Sequence, residues 1–433
     1  MGGFALVATV GTALLMLPAA TEGGTGTALV AALFTAVSAV CVTGLIVVDT
    51  PTYWSAFGEL VILALVQVGG VGIMTLATLL GLLIARRVGL RLQLTAQVET
   101  KSLRFGEVRQ VVGGVLAVSL AIELIVAVPL TLRFALAYGE PPGRAVYLGV
   151  FHAVCAFSNA GFALFTTSII PFATDPFICV PIVIAVVLGG IGFPVLFEVG
   201  RRVRTRAGRR WTLHTRVTLV TYGVLAVVGI GAFLLAEWSN PATIGRFDVG
   251  GKLVVGLFHG IMPRSAGFNT IEVGEMYPAT LLVTDMLMFI GGGSAGTAGG
   301  IKVTTFALLA FVIWAEVRGE PTVHVGNRRL AAAVQRQALT IALLGVGLVA
   351  VGTVTLLSIT PFRLDDVLFE VVSAFGTVGL STGITADLPP SGLLVLTALM
   401  FLGRLGPITL ACARARRHRG RRYELPEERT IVG

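Results

Sequence analysis

The chain has 433 residues, of which 55% are hydrophobic and only 13% charged, with a mean hydropathy of +0.89. Soluble domains carry about 25% charged residues, and even an oversized soluble core is built from helices of roughly a dozen residues rather than apolar runs near twenty, so a soluble protein is excluded. The net charge of +9 does not imply nucleic acid, because in a membrane chain basic residues first report orientation.

Met1 to Ala20 is apolar and ends in LPAA, but it lacks the positive n-region of a secretory signal and stands where a first helix belongs. Thr27 to Val40 then supplies about a dozen apolar residues, roughly 20 Å of helix, too short for a bilayer core of about 30 Å. It is expected to be a re-entrant half-helix, followed by a loop at Cys41 to Leu45 and a full span near Phe57 to Ala85. The order recurs. Spans near Val108 to Ala137 and Phe177 to Val199 flank a second window, Leu213 to Ala236 and Ala279 to Trp314 a third, and Leu330 to Leu357 and Leu393 to Cys412 a fourth.

The expected fold is therefore an all-α membrane protein with eight transmembrane helices. Four repeats of helix, re-entrant half-helix, loop and helix are related by pseudo-fourfold symmetry around one pore. They occupy residues 1–87, 88–203, 204–317 and 318–433, the last ending in a basic cytoplasmic tail.

The windows share one register: SAVCVTGL (Ser38 to Leu45), CAFSNAGF (Cys155 to Phe162), MPRSAGF (Met262 to Phe268) and SAFGTVGL (Ser373 to Leu380). A Phe (Phe34, Phe151, Phe258, Phe369) precedes each window's Gly (Gly44, Gly161, Gly267, Gly379) by nine or ten residues. A second Gly-containing segment follows 24 to 28 residues later, in QVGGVGIMTL, VLGGIGFPVL, FIGGGSAGTAGG and FLGRLGPITL.

Basic residues test the topology. In the linkers and the tail lie Arg86, Arg87, Arg91, Lys101, Arg104 and Arg109; Arg201, Arg202, Arg204, Arg206, Arg209, Arg210 and Arg216; Lys302, Arg318, Arg328, Arg329 and Arg336; and Arg414, Arg416, Arg417, Arg419, Arg421, Arg422 and Arg429. These are 25 of the 32 Lys and Arg, against six (Arg133, Arg144, Arg246, Lys252, Arg264, Arg363) on the half-helix side. By the positive-inside rule both termini and all linkers are cytoplasmic in the cell membrane, and the windows enter from outside. The four cysteines (Cys41, Cys155, Cys179, Cys412) form no CxxC pair, which suggests neither a zinc site nor a disulfide framework. His152 and His259 follow the repeat Phe but lack companions for a ligand set, and are read as structural.

Non-helical backbone at membrane depth is tolerated only where protein buries it or water lines it. Four loops satisfy this together by meeting on one axis, and a ring of carbonyls is how a cation filter replaces the hydration shell of K+. Aiming successive carbonyls at an axis needs a backbone conformation that Gly enters without steric cost. One Gly alone is better read as close helix packing; four in register favour a pore.

Gly291, Gly293 and Gly296 spell GxGxxG with Glu316 twenty residues on, but the flanks are membrane spans rather than a βαβ unit. Lys302 follows Ile301, so a Walker A loop is also excluded. Six Gly within 291–300, at roughly 1 kcal/mol each against Ala in a helix, break this span and predict a flexible intramembrane loop beneath the ring. Arg404, at the corresponding place in the fourth repeat, needs a cavity or a partner at membrane depth. Glu123, midway along another span, has no partner assignable from sequence.

These motifs resemble the Trk/Ktr/HKT superfamily of potassium transporters, and within it the bacterial KtrB/TrkH-type membrane subunit. The resemblance runs over nearly the whole chain through SAVCVTGL with VVDT, QVGGVGIMTLAT, FSNAGF, RSAGFNT, GGGSAGTAGGIKVTT and GRLGPITL. It implies four M1-P-M2 repeats around a K+ pore, in a homodimer seated on a cytosolic ring of RCK subunits (KtrA/TrkA-like) that bind a nucleotide such as ATP or ADP. By position the filter is Val42, Thr43 and Gly44; Asn159, Ala160 and Gly161; Ser265, Ala266 and Gly267; and Thr377, Val378 and Gly379, with K+ held by their backbone carbonyls. The gate is then Gly291, Gly292, Gly293, Ser294, Gly296, Thr297, Gly299 and Gly300, with Arg404 beside it. Plant relatives with Ser at the first filter position pass Na+, and Gly44 here favours K+. The departure from the pattern is the bare N-terminus.

The alternative is a secondary transporter with alternating access at a midplane site, coupled to Na+ or H+. Such transporters often carry inverted repeats, whereas these four are parallel. An enzyme is a distant third, since no nucleophile–base pair or metal set is visible, and no cofactor is expected on this chain.

Overall fold

The computed structural model describes residues 2–93, 105–205, 211–326 and 328–416 and is almost wholly helical. In chain order the helices are α1 (Gly2–Leu15), α2 (Leu29–Val40), α3 (Thr50–Tyr53), α4 (Ala56–Gln93), α5 (Phe105–Ala137), α6 (Pro142–Ser158), α7 (Pro176–Ile191), α8 (Phe193–Thr205), α9 (Leu213–Glu237), α10 (Val249–Ile261), α11 (Pro278–Phe289), α12 (Val303–Val317), α13 (Ala332–Ile359), α14 (Leu364–Gly376) and α15 (Pro390–Arg416). Between α12 and α13 runs a short antiparallel pair, β1 (His324–Val325) with β2 (Arg328–Arg329).

Four short helices, α2, α6, α10 and α14, form the centre. Each begins at an exposed residue and is buried through its last turn. Two of the N-termini carry acids: Asp248 accepts from the Gly250 and Gly251 amides (3.1 Å each) at the start of α10, and Asp365 and Asp366 lie in the first turn of α14, both complementing the helix dipole. Phe34, Phe151, Phe258 and Phe369 are each 0% exposed, so the register common to the four windows is also that of the core.

Eight other helices wrap this centre in a cycle. α1 packs on α2, α5 on α6, α9 on α10 and α13 on α14, while α4 reaches α6, α7 reaches α10, α11 reaches α14 and α15 returns to α2.

Against the eight expected crossings, four helical stretches among the described residues have the length and apolarity of a span: Ala56–Leu76, Val111–Ala137, Leu213–Glu237 and Ala332–Ile359. A fifth is counted if α7 and α8 are taken together. Gly2–Leu15, Pro278–Phe289, Val303–Val317 and Pro390–Leu405 are apolar but shorter. The first helix expected over Met1 to Ala20 stops at Leu15, and a 3₁₀ turn at Pro18–Ala20 follows, its first position Pro18 having no N–H to donate.

The span expected near Phe177 to Val199 is not continuous. It bends by 106° between α7 and α8, because Gly192 (φ 95°, ψ 146°) leaves helical space and Pro194 cannot donate backward. Of the basic residues used to orient the chain, Lys101, Arg104, Arg206, Arg209, Arg210, Arg417, Arg419, Arg421, Arg422 and Arg429 lie outside the described residues.

Candidate functional site

Each central helix ends in the same turn. Val42 and Gly44 (φ 57° and 90°), Asn159 and Gly161 (61° and 67°), Ser265 and Gly267 (91° and 67°), and Thr377 and Gly379 (47° and 96°) all take the left-handed region. Glycine does so freely, but a side chain there costs on the order of 1–2 kcal/mol and persists only where its surroundings hold it. The resemblance places the residue two before each glycine in the filter but does not foresee its left-handed backbone, because Val, Asn, Ser and Thr share no property that marks it. The intervening amide folds back in every copy: Thr43 to Ser38 O (2.7 Å), Ala160 to Cys155 O (2.8 Å), Ala266 to Met262 O (3.1 Å) and Val378 to Ser373 O (2.9 Å).

The four turns form a closed ring. A Cβ placed on Gly44 would stand 2.1 Å from Ala160 O, on Gly161 2.8 Å from Ala266 O, on Gly267 2.6 Å from Val378 O, and on Gly379 2.1 Å from Thr43 O. Each glycine abuts the next window and the fourth abuts the first. The same four glycines line a cavity of about 290 Å³ that also carries Asp49 and Glu272. Carbonyl oxygens crowd the ring, and the negative C-terminal ends of four helices lead into it, an environment that suits a cation and disfavours an anion.

Side chains buried behind the ring brace it. Ser38 Oγ accepts from Gly44 N (3.1 Å) and donates to Leu45 O (2.8 Å), and Ser373 Oγ accepts from Gly379 N (3.1 Å). The residue after the repeat Phe braces the outgoing strand in three copies. His152 Nε2 accepts from Leu164 N (3.4 Å), His259 Nε2 from Thr270 N (3.2 Å), and Glu370 from Thr382 N (3.2 Å), Thr385 Oγ1 (2.8 Å) and Ser381 Oγ. Glu370 went unremarked in the sequence, although its place directly after Phe369 matches that of the two histidines after theirs. Among the described residues no three His, Cys, Asp or Glu side chains group as metal ligands.

The second glycine of each repeat has a separate use. A Cβ on Gly69 would lie 2.0 Å from Val40 O, on Gly189 1.9 Å from Phe157 O, and on Gly403 1.9 Å from Phe375 O, so α4, α7 and α15 touch the terminal carbonyls of the central helices. Here the close-packing reading rejected for the windows is the correct one.

In the third repeat that segment is no helix. Residues 290–302 form a loop docked into the bend between α7 and α8: Gly293 N donates to Gly190 O (2.7 Å), Thr297 N to Gly189 O (3.1 Å), and Phe193 N to Ala295 O (3.2 Å). Its own neck is closed by Gly291 N to Ile301 O (2.8 Å) and Val303 N to Gly292 O (3.0 Å). The bend thus frees the carbonyls that the loop occupies.

Two cations hold the loop. Arg404, 4% exposed, donates Nη1 to Thr297 O, which answers the sequence question of what partners it. Lys302, counted in sequence with the cytoplasmic charges, turns inward and donates to Ala298 O. Arg264, counted on the half-helix side, is 0% exposed directly before Ser265; it donates to Tyr222 O (2.5 Å) and lies 3.9 Å over the Tyr222 ring. Neither is a free topology charge. Glu123 also finds a partner, since Gln67 Nε2 donates to both of its oxygens at 3.1 Å.

The TrkH cation transport protein family matches residues 6–424 of the chain. This chain belongs to that family. It is 37% identical to the Ktr system potassium uptake protein B of Bacillus subtilis, over 94% of this chain and 90% of that one. Its identity to the potassium/sodium uptake protein NtpJ of Enterococcus hirae is 32%, over 100% of this chain and 96% of the other. Among solved structures, the potassium transporter TrkH from Vibrio parahaemolyticus superposes with a TM-score of 0.70 at 19% identity, covering 95% of this chain and 84% of that one, a likeness of fold. Membership in the TrkH family accounts for a membrane transporter whose centre is built of backbone.

Proposed function

We propose that this chain is the K+-translocating membrane subunit of a bacterial potassium uptake system, conducting through the ring of Gly44, Gly161, Gly267 and Gly379. The observation that carries the reading is the closure of that ring beneath the cavity its four glycines line. On this reading each of the four repeats is an M1-P-M2 unit, eight helices cross the membrane, and both termini are cytoplasmic. Val42, Thr43, Asn159, Ala160, Ser265, Ala266, Thr377 and Val378 complete a selectivity filter whose carbonyls replace water around K+. Residues 291–300 are the gate, latched by Arg404, and a cytosolic nucleotide-binding ring under a homodimer releases it. Relatives named for potassium uptake support the choice of ion, and the relative named for potassium and sodium makes Na+ the competitor to test.

Uptake of radiolabelled Rb+ into proteoliposomes tests this. Passive, saturable uptake, competed by K+ more strongly than by Na+, is expected. Uptake that appears only with an imposed Na+ or H+ gradient replaces the pore with alternating access.

A further inference from the structure

The loop does more than lie below the ring: it is bonded to it. With the Asn159 amide nitrogen donating to Ala156 O (3.0 Å) and Val186 O (3.1 Å), its oxygen accepts from Thr297 Oγ1 at 3.2 Å. Gly299 N donates to Ser265 Oγ (3.1 Å), and Ser265 Oγ donates onward to Thr377 O (2.9 Å). Asn159, Ser265 and Thr377 are the left-handed non-glycine residues of windows two, three and four. Gly299 also presses on window four, since a Cβ there would stand 2.1 Å from Thr377 Oγ1 and 2.6 Å from Gly376 O. Window one is held instead from within its own repeat, by Ser38.

Resting on the pore reading above, we propose that the loop is a strut of the filter, so that the ion preference of the ring depends on whether the loop is docked. Thr297 and Ser265 are the positioning residues. Left-handed backbone at a non-glycine residue persists only while its surroundings impose it, and for three of the four windows those surroundings include the loop. Withdrawal of the loop removes the bonds to Asn159 and Ser265 together, and Ser265 then bridges to the Thr377 carbonyl without the Gly299 amide that orients its hydroxyl. The carbonyl positions on which discrimination rests then relax.

The test measures the ratio of K+ to Na+ flux through the full-length protein in liposomes. Thr297→Val deletes the hydroxyl yet keeps the carbonyl that Arg404 grips, and Ser265→Ala deletes the other strut. Each is expected to lower the ratio about three- to tenfold, the size of one lost hydrogen bond. Thr304→Val removes the Ser294 Oγ to Thr304 Oγ1 bond (2.9 Å), which lies in the loop region but touches no window, and keeps the wild-type ratio. Wild-type ratios in both Thr297→Val and Ser265→Ala overturn the proposal, as does an equal fall in Thr304→Val. Gly44→Ser separates the two levels of the argument. If it shifts ion preference while the strut variants do not, the coupling fails and the pore stands; if it too leaves ion preference unchanged, the pore reading itself fails.

Discussion

In the ring, Gly44, Gly161, Gly267 and Gly379 all have positive φ; of the six glycines in the loop only Gly300 does (φ 60°). Gly291, Gly292, Gly293, Gly296 and Gly299 are glycine for another reason. A Cβ at these positions would stand 2.0 Å from Gly299 O, 2.5 Å from Gly190 O, 2.1 Å from Ile191 O, 2.8 Å from Gly190 O and 2.1 Å from Thr377 Oγ1 respectively. The ring uses glycine for its backbone angle as well as for close approach, whereas these five loop glycines serve close approach alone. Two stretches that look alike in composition therefore differ in what a side chain would damage.

The largest effect is expected in the ring. Gly44→Ser places a side chain at φ 90° with its Cβ 2.1 Å from Ala160 O, so both angle and space resist it. That displaces a carbonyl and adds a hydroxyl ligand, and K+ over Na+ discrimination should fall about tenfold or more, given strain of roughly 1–3 kcal/mol. Growth of a K+-uptake-deficient host at low K+, with and without Na+, reads this out. Unchanged K+ affinity and Na+ inhibition in this variant would remove the ring from the pathway.

In the loop a change should act on rate first. Arg404→Ala, or deletion within residues 291–300, removes a latch or the barrier itself, and basal flux in liposomes is expected to rise several-fold and lose its dependence on a cytosolic partner. A buried charge contact of this kind is worth roughly 1.5–3 kcal/mol. Abolished flux in well-folded loop-deleted protein makes the loop part of the pathway and ends its assignment as a gate.

The same comparison extends to helices. Gly189 lies in α7 with Phe157 O at the place of a Cβ (1.9 Å), whereas Gly113 in α5 has nothing within 4 Å. Gly189→Ala should destabilise by about 1–3 kcal/mol through overpacking and lower the melting temperature in detergent. Gly113→Ala should be neutral or stabilising by up to about 1 kcal/mol from helix propensity. Equal melting temperatures for the two variants would mean that the carbonyl contact is not a constraint.

What could be read from the sequence was whatever repeats. Four windows in one register gave the short central helices, their buried Phe residues and the glycines of the ring. The break at 291–300 followed from six glycines in a row of ten. The bend at Gly192 did not, since Gly189, Gly190 and Gly192 read as one more copy of the second-glycine segment, and only the loop seated there distinguishes them. The bonds from Arg404 to Thr297 and from Ser265 to Thr377 join residues more than 100 apart, and no local pattern encodes them. The internal bonds of Arg264 and Lys302 were not foreseen, because a charge count knows position along the chain and not the direction of a side chain.

The smallest effect is expected at the basic end of α8, away from the ring and the loop. Arg201 and Arg202 lie on α8 past the bend, and the Arg202 guanidinium sits 4.6 Å over the ring of Trp211. Charge reversal at Arg201, Arg202 and Arg204 leaves the ring and the loop untouched. If these arginines rim the surface that meets an acidic cytosolic partner, reversal weakens association by a few-fold and flattens its salt dependence, because rim charges act mainly on encounter and are screened beyond about 8–10 Å at physiological salt. Part of the loss comes from the Trp211 stack, so Trp211→Ala supplies the correction: it removes the stack and keeps all three charges. Pull-down of the partner over a salt series, with both variants extracted in equal yield, decides the matter. Association insensitive to reversal and to salt leaves these arginines as orientation signals alone.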